Sequence, residues 1–125
     1  MIIKPLTQAE ENIMQIMWRL NRATVKEIID EIPLPKPAYN TVSTVVRVLE
    51  KKKIIGHVSE GNSHIYYPLI SEADYMHYSV DKVLRDYFKN SYKNLVSFLV
   101  EKQDMSSKDI AELEALIKTL KKGKS

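Results

Sequence analysis

The order of elements predicts a mainly α fold, a winged helix-turn-helix followed by a three-helix domain. Three observations carry that prediction. Two capped amphipathic segments precede a third helical stripe, two β-rich runs then flank a Gly-Asn turn, and three more helical stripes fill the remainder. The expected boundaries are 1–70 for the winged part, 71–121 for the helical part and 122–125 for a frayed tail. At 125 residues the chain is one domain or two very small ones.

Thr7 is a good N-cap, and Glu10 three residues on completes a capping box. Ala9, Ile13, Ile16, Met17 and Leu20 then recur with helical spacing, and Trp18 beside them is suited to fill volume at a helix–helix contact. Asn21, Arg22 and Ala23 break the pattern. A second capping box, Thr24 with Glu27, opens a short helix whose apolar face is Val25, Ile28, Ile29 and Ile32. The run PLPKP ends it, because proline lacks an amide hydrogen and disfavours helical geometry before it.

The third helix spans 38–53. Val42, Val45, Val46 and Leu49 fall at i, i+3, i+4 and i+7 and form its buried face. Asn40, Ser43, Thr44, Arg47 and Lys51 gather on the opposite side. Small hydrogen-bonding groups followed by cations make a surface that can approach a polar partner closely. The runs 54–59 and 64–69 are rich in β-branched and aromatic residues around a turn that contains Gly61-Asn62, which is a hairpin signal. Pro68 puts the end of the second run at a sheet edge. An isolated hairpin is unstable in water, so this one must lean on the helices as a wing.

Beyond residue 70 the pattern changes. Ser71 caps a long helix whose Ala73, Met76, Val80, Val83 and Tyr87 step as a packing seam. Tyr92, Leu95, Val96, Leu99 and Val100 mark a fifth helix. A box of Ser106 and Asp109 opens a sixth, with Ile110, Leu113, Ile117 and Leu120. Leu84, Phe88, Phe98 and Leu116 lie off these seams. That is more apolar surface than a bundle of this size buries alone. A second copy on a two-fold axis is the simplest cover, so residues 71–121 are expected to form a dimerisation domain. Its contacts are expected at Met76, Val80, Val83, Tyr87, Leu95, Leu99, Ile110, Leu113, Ile117 and Leu120.

Charge points to the target. The net charge is +3, divided as −1 over 1–35, +3 over 36–64 and +1 over the rest. The excess therefore surrounds the third helix, as a polyanion-binding face requires. In a winged helix that helix enters the DNA major groove. Asn40, Thr41, Ser43 and Thr44 are then placed for base edges or phosphates, and Arg47 for a guanine or a phosphate. Val48 flanks this face for an apolar contact. Lys51 and Lys52 are expected on phosphates, with Asn62, Ser63 and His64 adding backbone contacts from the wing. The competing reading is a winged-helix protein-interaction module without specific DNA binding.

Other chemistries find little support. There is no cysteine, which excludes disulfides and thiolate metal sites and suits a reducing cytoplasm. No apolar run approaches a membrane span, and the first residues do not resemble a signal peptide. The histidines are His57, His64 and His77, and none stands beside a nucleophile in a catalytic context. His57 and His64 with Glu60 have no metal-site spacing. No catalytic residue, metal or cofactor is expected.

The stretches LTQAEENIMQIMW, ATVKEI, YNTVSTVVRVLEKKKII and HIYYPLIS, with SFLVEKQDMSSKDIAELEALI further on, resemble the penicillinase repressor family of BlaI/MecI/CopY-type regulators. The resemblance covers nearly the whole chain. Beside the cytoplasmic location read from the residues, it implies a homodimeric winged-helix repressor on a palindromic operator, typically of antibiotic-resistance genes. It also implies derepression by a membrane sensor-transducer metalloprotease that cuts the dimerisation domain. The family's cut lies at Asn-Phe before a Val-Glu-Lys run. Here Val100-Glu101-Lys102 aligns, which places the region at Ser97, Phe98 and Leu99 without the asparagine. The family's copper branch uses C-terminal cysteines, which are missing here. The glycine usual after the third helix is Lys53.

Overall fold

The computed structural model describes residues 3–102 and 104–123. In chain order it contains α1 (Gln8–Leu20), α2 (Val25–Asp30), α3 (Tyr39–Lys51), β1 (Ile55–Glu60), β2 (Ser63–Pro68), α4 (Glu72–Phe88), α5 (Tyr92–Lys102) and α6 (Ser107–Lys122). The chain divides into two compact units, Met1–Tyr78 and Ser79–Ser125, and the division falls inside α4.

In the first unit, Thr7 and Thr24 cap α1 and α2 through complete capping boxes. The Glu10 amide donates to Thr7 Oγ1 at 3.2 Å, and the Thr7 amide returns a bond to the Glu10 carboxylate at 2.8 Å. The core joins Ile13, Met14, Ile16 and Met17 of α1 to Val25 and Ile28 of α2 and to Val42, Val46 and Leu49 of α3. Met14 is fully buried, whereas Ala9, placed on the apolar stripe from its spacing, is exposed. The buried face of α1 is therefore rotated toward Met14. Ile32 lies beyond the end of α2 and is half-buried.

Three lysines finish the ends of α2 and α3. The Lys36 ammonium donates to the carbonyls of Ile29, Asp30 and Ile32 at 3.1, 2.9 and 2.7 Å. A cation there completes orphaned carbonyls and suits the negative end of the helix dipole. At the end of α3, the Ile54 amide bonds Leu49 O and the Lys53 amide bonds Glu50 O. These two bonds form a Schellman motif, with Lys53 in the left-handed region at φ 64°. Glycine meets that demand without a side-chain penalty, which gives a physical reason for the glycine usual in the related pattern. Lys52, one residue earlier, points back to α1.

β1 and β2 pair antiparallel from Ile55↔Pro68 to Glu60↔Ser63. The hairpin loop is therefore Gly61-Asn62, tighter than a turn over 60–63. Gly61 has φ 61°, and a glycine with positive φ in the first loop position fits the right-handed twist of the strands. On the far side of β2, Ala23 exchanges two backbone bonds with Tyr66, at 3.0 and 2.8 Å. The segment 21–23 is thus a docking point for the wing as well as a break between helices. Trp18 Nε1 donates to Ile70 O at 2.9 Å, and its ring lies 5.8 Å from that of Tyr75. The Tyr75 hydroxyl accepts from the Leu6 amide and donates to Glu11, both at 3.3 Å. These contacts join Ile70 and the first turns of α4 to the first unit.

The second unit holds the remainder of α4 with α5 and α6. Ser91 caps α5 by accepting from the Asn94 amide at 3.1 Å. Ser106 and Asp109 form the expected box on α6. α6 runs to Lys122 with Gly123 as its C-cap, past the end at 121 read from spacing. Lys124 and Ser125, the rest of the expected tail, lie outside the described residues. Leu84 is buried, and the Phe88 and Phe98 rings pack 5.5 Å apart at 60°. Most of the seam is uncovered within the chain. Val80, Tyr87 and Leu120 are 52%, 78% and 56% exposed. Val83, Leu99 and Ile117 are also exposed, and Leu95, Ile110 and Leu113 are half-buried. Met76, on the first unit, is exposed as well.

Candidate nucleic-acid interface

The buried residues Val42, Val46 and Leu49 fix the rotation of α3, so the side facing water follows from its packing. Asn40, Thr44, Arg47 and Lys51 are exposed on that side. Two of them are already oriented. Thr44 Oγ1 donates to the Asn40 carbonyl at 2.8 Å. Its proton is thereby engaged, which leaves the oxygen lone pairs and the methyl group to face a partner. Arg47 Nη2 donates to Ser43 Oγ at 3.0 Å. Ser43 itself is buried beneath this contact. It positions Arg47 and offers little surface of its own.

Arg47 and Ser43 line a concavity of about 550 Å³ between α3 and the wing, and Asn62, Ser63 and His64 line it from the wing. Five of the residues expected at the interface therefore meet around one space. Lys26 from α2 and Tyr39 from the start of α3 also reach it. Neither was singled out from the sequence. Lys26 was hidden on the polar face of a short helix, and Tyr39 sits one position before the polar run that drew attention.

Thr41 and Lys52 face elsewhere. Thr41 borders a second concavity of about 460 Å³, shared with Asn12 and Ile16 of α1 and with Pro33. Lys52 Nζ lies 2.8 Å from Glu10 Oε1 and donates to Pro5 O at 3.5 Å. Glu10 is only 3% exposed. Burial pushes the Glu10 carboxyl up. The Lys52 hydrogen bond and charge, with the Thr7 amide and hydroxyl, outweigh burial and hold it below the usual carboxylate range. Lys52 thus compensates a buried carboxylate instead of standing free for a phosphate. Lys36, though exposed, is likewise engaged by three carbonyls, so both of these cations are occupied within the fold. Arg47, Lys51 and Lys53 of the 36–64 segment remain exposed.

Buried Tyr66 also lines the α3–wing concavity. Burial raises its hydroxyl pKa above the usual phenol range, the nearby Glu50 and Tyr39 raise it further, and Arg47 opposes them. Glu50 Oε2 is hydrogen-bonded to His57 Nδ1 of β1. The His57 ring meets His64 edge to face, with centroids 4.6 Å apart at 82°. Among the described residues, no group of three or more acidic or histidine side chains is placed to hold a metal ion. Nor is any helix long and apolar enough to cross a membrane.

The family profile described as penicillinase repressor matches residues 6–119. The methicillin resistance regulatory protein MecI of Staphylococcus aureus strain N315 is 29% identical over 113 residues, 90% of this chain and 92% of that protein. The penicillinase repressor of Bacillus licheniformis is 25% identical over 123 residues, 98% of this chain and 96% of its own length. In structure, the chain is similar to the DNA-binding domain of the repressor BlaI. The TM-score is 0.52 at 29% identity, over 59% of this chain and 92% of that one. It is also similar to monomeric Bacillus licheniformis BlaI in complex with the blaP half-operator. There the TM-score is 0.50 at 29% identity, with the same coverage. The match along nearly the full length, on a winged helix of the same kind, shows that the chain belongs to the penicillinase repressor family.

Proposed function

We propose that this chain is a homodimeric transcriptional repressor that binds a palindromic DNA operator in the cytoplasm. One observation carries the reading. Arg47, oriented by Ser43, opens onto the same concavity as the wing tip at Asn62 and Ser63. A recognition helix and a wing on one face can straddle a groove edge, with side chains reading bases and the wing holding the backbone. Asn40 and Thr44 join Arg47 as base readers, and Lys51, Lys26 and the wing tip engage phosphates. The similar BlaI domain in complex with a half-operator supports the same docking.

The exposed seam over α4, α5 and α6 supports a two-fold partner. A dimer places two recognition helices on two half-sites, and the linked second contact raises avidity without any new interaction. Relief by proteolysis follows from that dependence. A cut at Ser97, Phe98 or Leu99 would divide α5 and release one DNA-binding unit from its twin. Because these residues lie inside a helix, α5 must open locally before a protease can take it. An intact chain after incubation with an activated sensor-transducer metalloprotease contradicts this step.

Mobility shifts with DNA from upstream of the gene test the main reading. Binding is expected to weaken as salt rises, from counterion release. Arg47→Ala and Thr44→Ala are each expected to cost about 1–3 kcal/mol on the specific site. Unchanged specific binding by both variants would overturn the assignment of α3.

A further inference from the structure

Glu50 presents a problem for a DNA-binding helix. It stands three residues after Arg47, and opposite charges at that spacing pair readily on a helix surface. Such a pair would neutralise the cation that faces the DNA. Left free, the carboxylate would instead repel phosphates. Neither arrangement is found. Arg47 turns back to Ser43 Oγ at 3.0 Å, and Glu50 Oε2 is held by His57 Nδ1 of the wing.

The geometry around His57 suits this task. When Glu50 is ionised its carboxylate only accepts, and the His57 Nδ1 that meets it is then the protonated nitrogen that donates. The imidazole is braced on its other sides. The His64 ring meets it edge to face, and the Tyr66 ring lies 5.6 Å away. Lys26 from α2 and Tyr39 and Arg47 from α3 border the same space. The Glu50 and His57 side chains are both about one-third exposed, at 32% and 33%. Both side chains line the concavity between α3 and the wing and stay partly open to solvent, within reach of a polyanion bound there.

We propose that His57 is a positioning residue that draws the Glu50 carboxylate away from Arg47 and from the path of the DNA backbone. The proposal rests on the DNA-binding reading above and adds a specific role for the wing. Beyond any contact with DNA, the wing screens a misplaced charge on the recognition helix.

The two charges make the test selective. Affinity of the full chain for its upstream DNA is measured by mobility shift at one fixed salt concentration, with folding checked by circular dichroism. His57→Ala frees Glu50 and is expected to weaken binding on the order of 10-fold, comparable to loss of one base contact. Glu50→Gln removes the charge and is expected to bind at least as tightly as the parent. The double variant H57A/E50Q is expected to return to within about twofold of the parent. His57→Gln keeps an amide donor for Glu50 and should lie closer to the parent than H57A. If His57 merely props the wing, H57A/E50Q binds no better than H57A and E50Q alone is weakened. That result, or H57A binding equal to the parent, overturns the proposal alone. A parent chain that binds no specific DNA overturns the DNA reading, and this proposal with it.

Discussion

In Met1–Tyr78, three helical stripes and one hairpin cover each other, and Met14, Met17, Ile28, Val46, Leu49, Ile54 and Ile55 are completely buried. In Ser79–Ser125, stripes of the same spacing leave Tyr87, Leu116, Ile117 and Leu120 facing outward, and Leu84 alone is buried among the described residues. The two regions are built from similar amphipathic helices, with matching boxes at Thr7, Thr24 and Ser106. Spacing tells which face of a helix is apolar. It does not tell what covers that face. The first unit supplies its own cover, and the second leaves most of its apolar face open.

That contrast can be broken most forcefully in the first unit. Leu49→Ala removes a fully buried side chain of α3 and should lower the unfolding free energy by about 2–5 kcal/mol. Trp18 is the only tryptophan, so its fluorescence during denaturation reports on this unit. Lys52→Met comes next. It strands the buried Glu10 carboxylate, and the expected loss is about 1.5–3 kcal/mol. The pH response gives the sign. Glu10 is held below its ordinary value of 4.5 in the fold. Its pairing therefore stabilises above that value and is lost as pH falls through the folded pKa. The parent should lose stability on acidification below about pH 4.5, and Lys52→Met should lose this part of the response.

In the second unit the same kind of truncation should act differently. Tyr87→Ala should leave the Trp18 transition of the dissociated chain unchanged. Self-association measured by sedimentation should weaken by about 1–2 kcal/mol. If Tyr87→Ala instead destabilises the isolated chain as Leu49→Ala does, the second unit is not open in the way described. The smallest effect is expected at Lys53→Gly. Relief of the left-handed backbone should stabilise the first unit by about 0.5–1 kcal/mol, after the entropy cost of glycine. It also removes one exposed cation, so the slope of DNA affinity against salt should not steepen.

How much of this was legible in the sequence follows from the range of each interaction. The capping boxes were legible because both partners lie within four residues. The face of α3 was legible because Val42, Val46 and Leu49 state the period. The wing was legible from Gly61-Asn62 between β-rich runs. Lys52 was not, because its partner Glu10 is 42 positions away and nothing local distinguishes it from Lys51. The burial of Ser43 was not legible for a different reason. It lies at the margin between faces, where spacing alone does not show that the side chain is buried beneath its contact with Arg47. The Ala23–Tyr66 bridge involves a single residue on one side, too short to leave a pattern. The Glu50–His57 contact joins two elements that look unrelated when each is read alone.

In the proposed dimer, each DNA-reading unit works through a twin brought to it by the helical unit. A hydroxyl-radical footprint on the upstream DNA tests it most directly, with the full chain compared against a chain ending at Tyr78. The full chain is expected to protect two half-sites about one helical turn or a multiple apart. The shortened chain, folded but monomeric, should need far higher concentration to protect the same positions. No protected site, or identical protection by both chains at equal concentration, would contradict it.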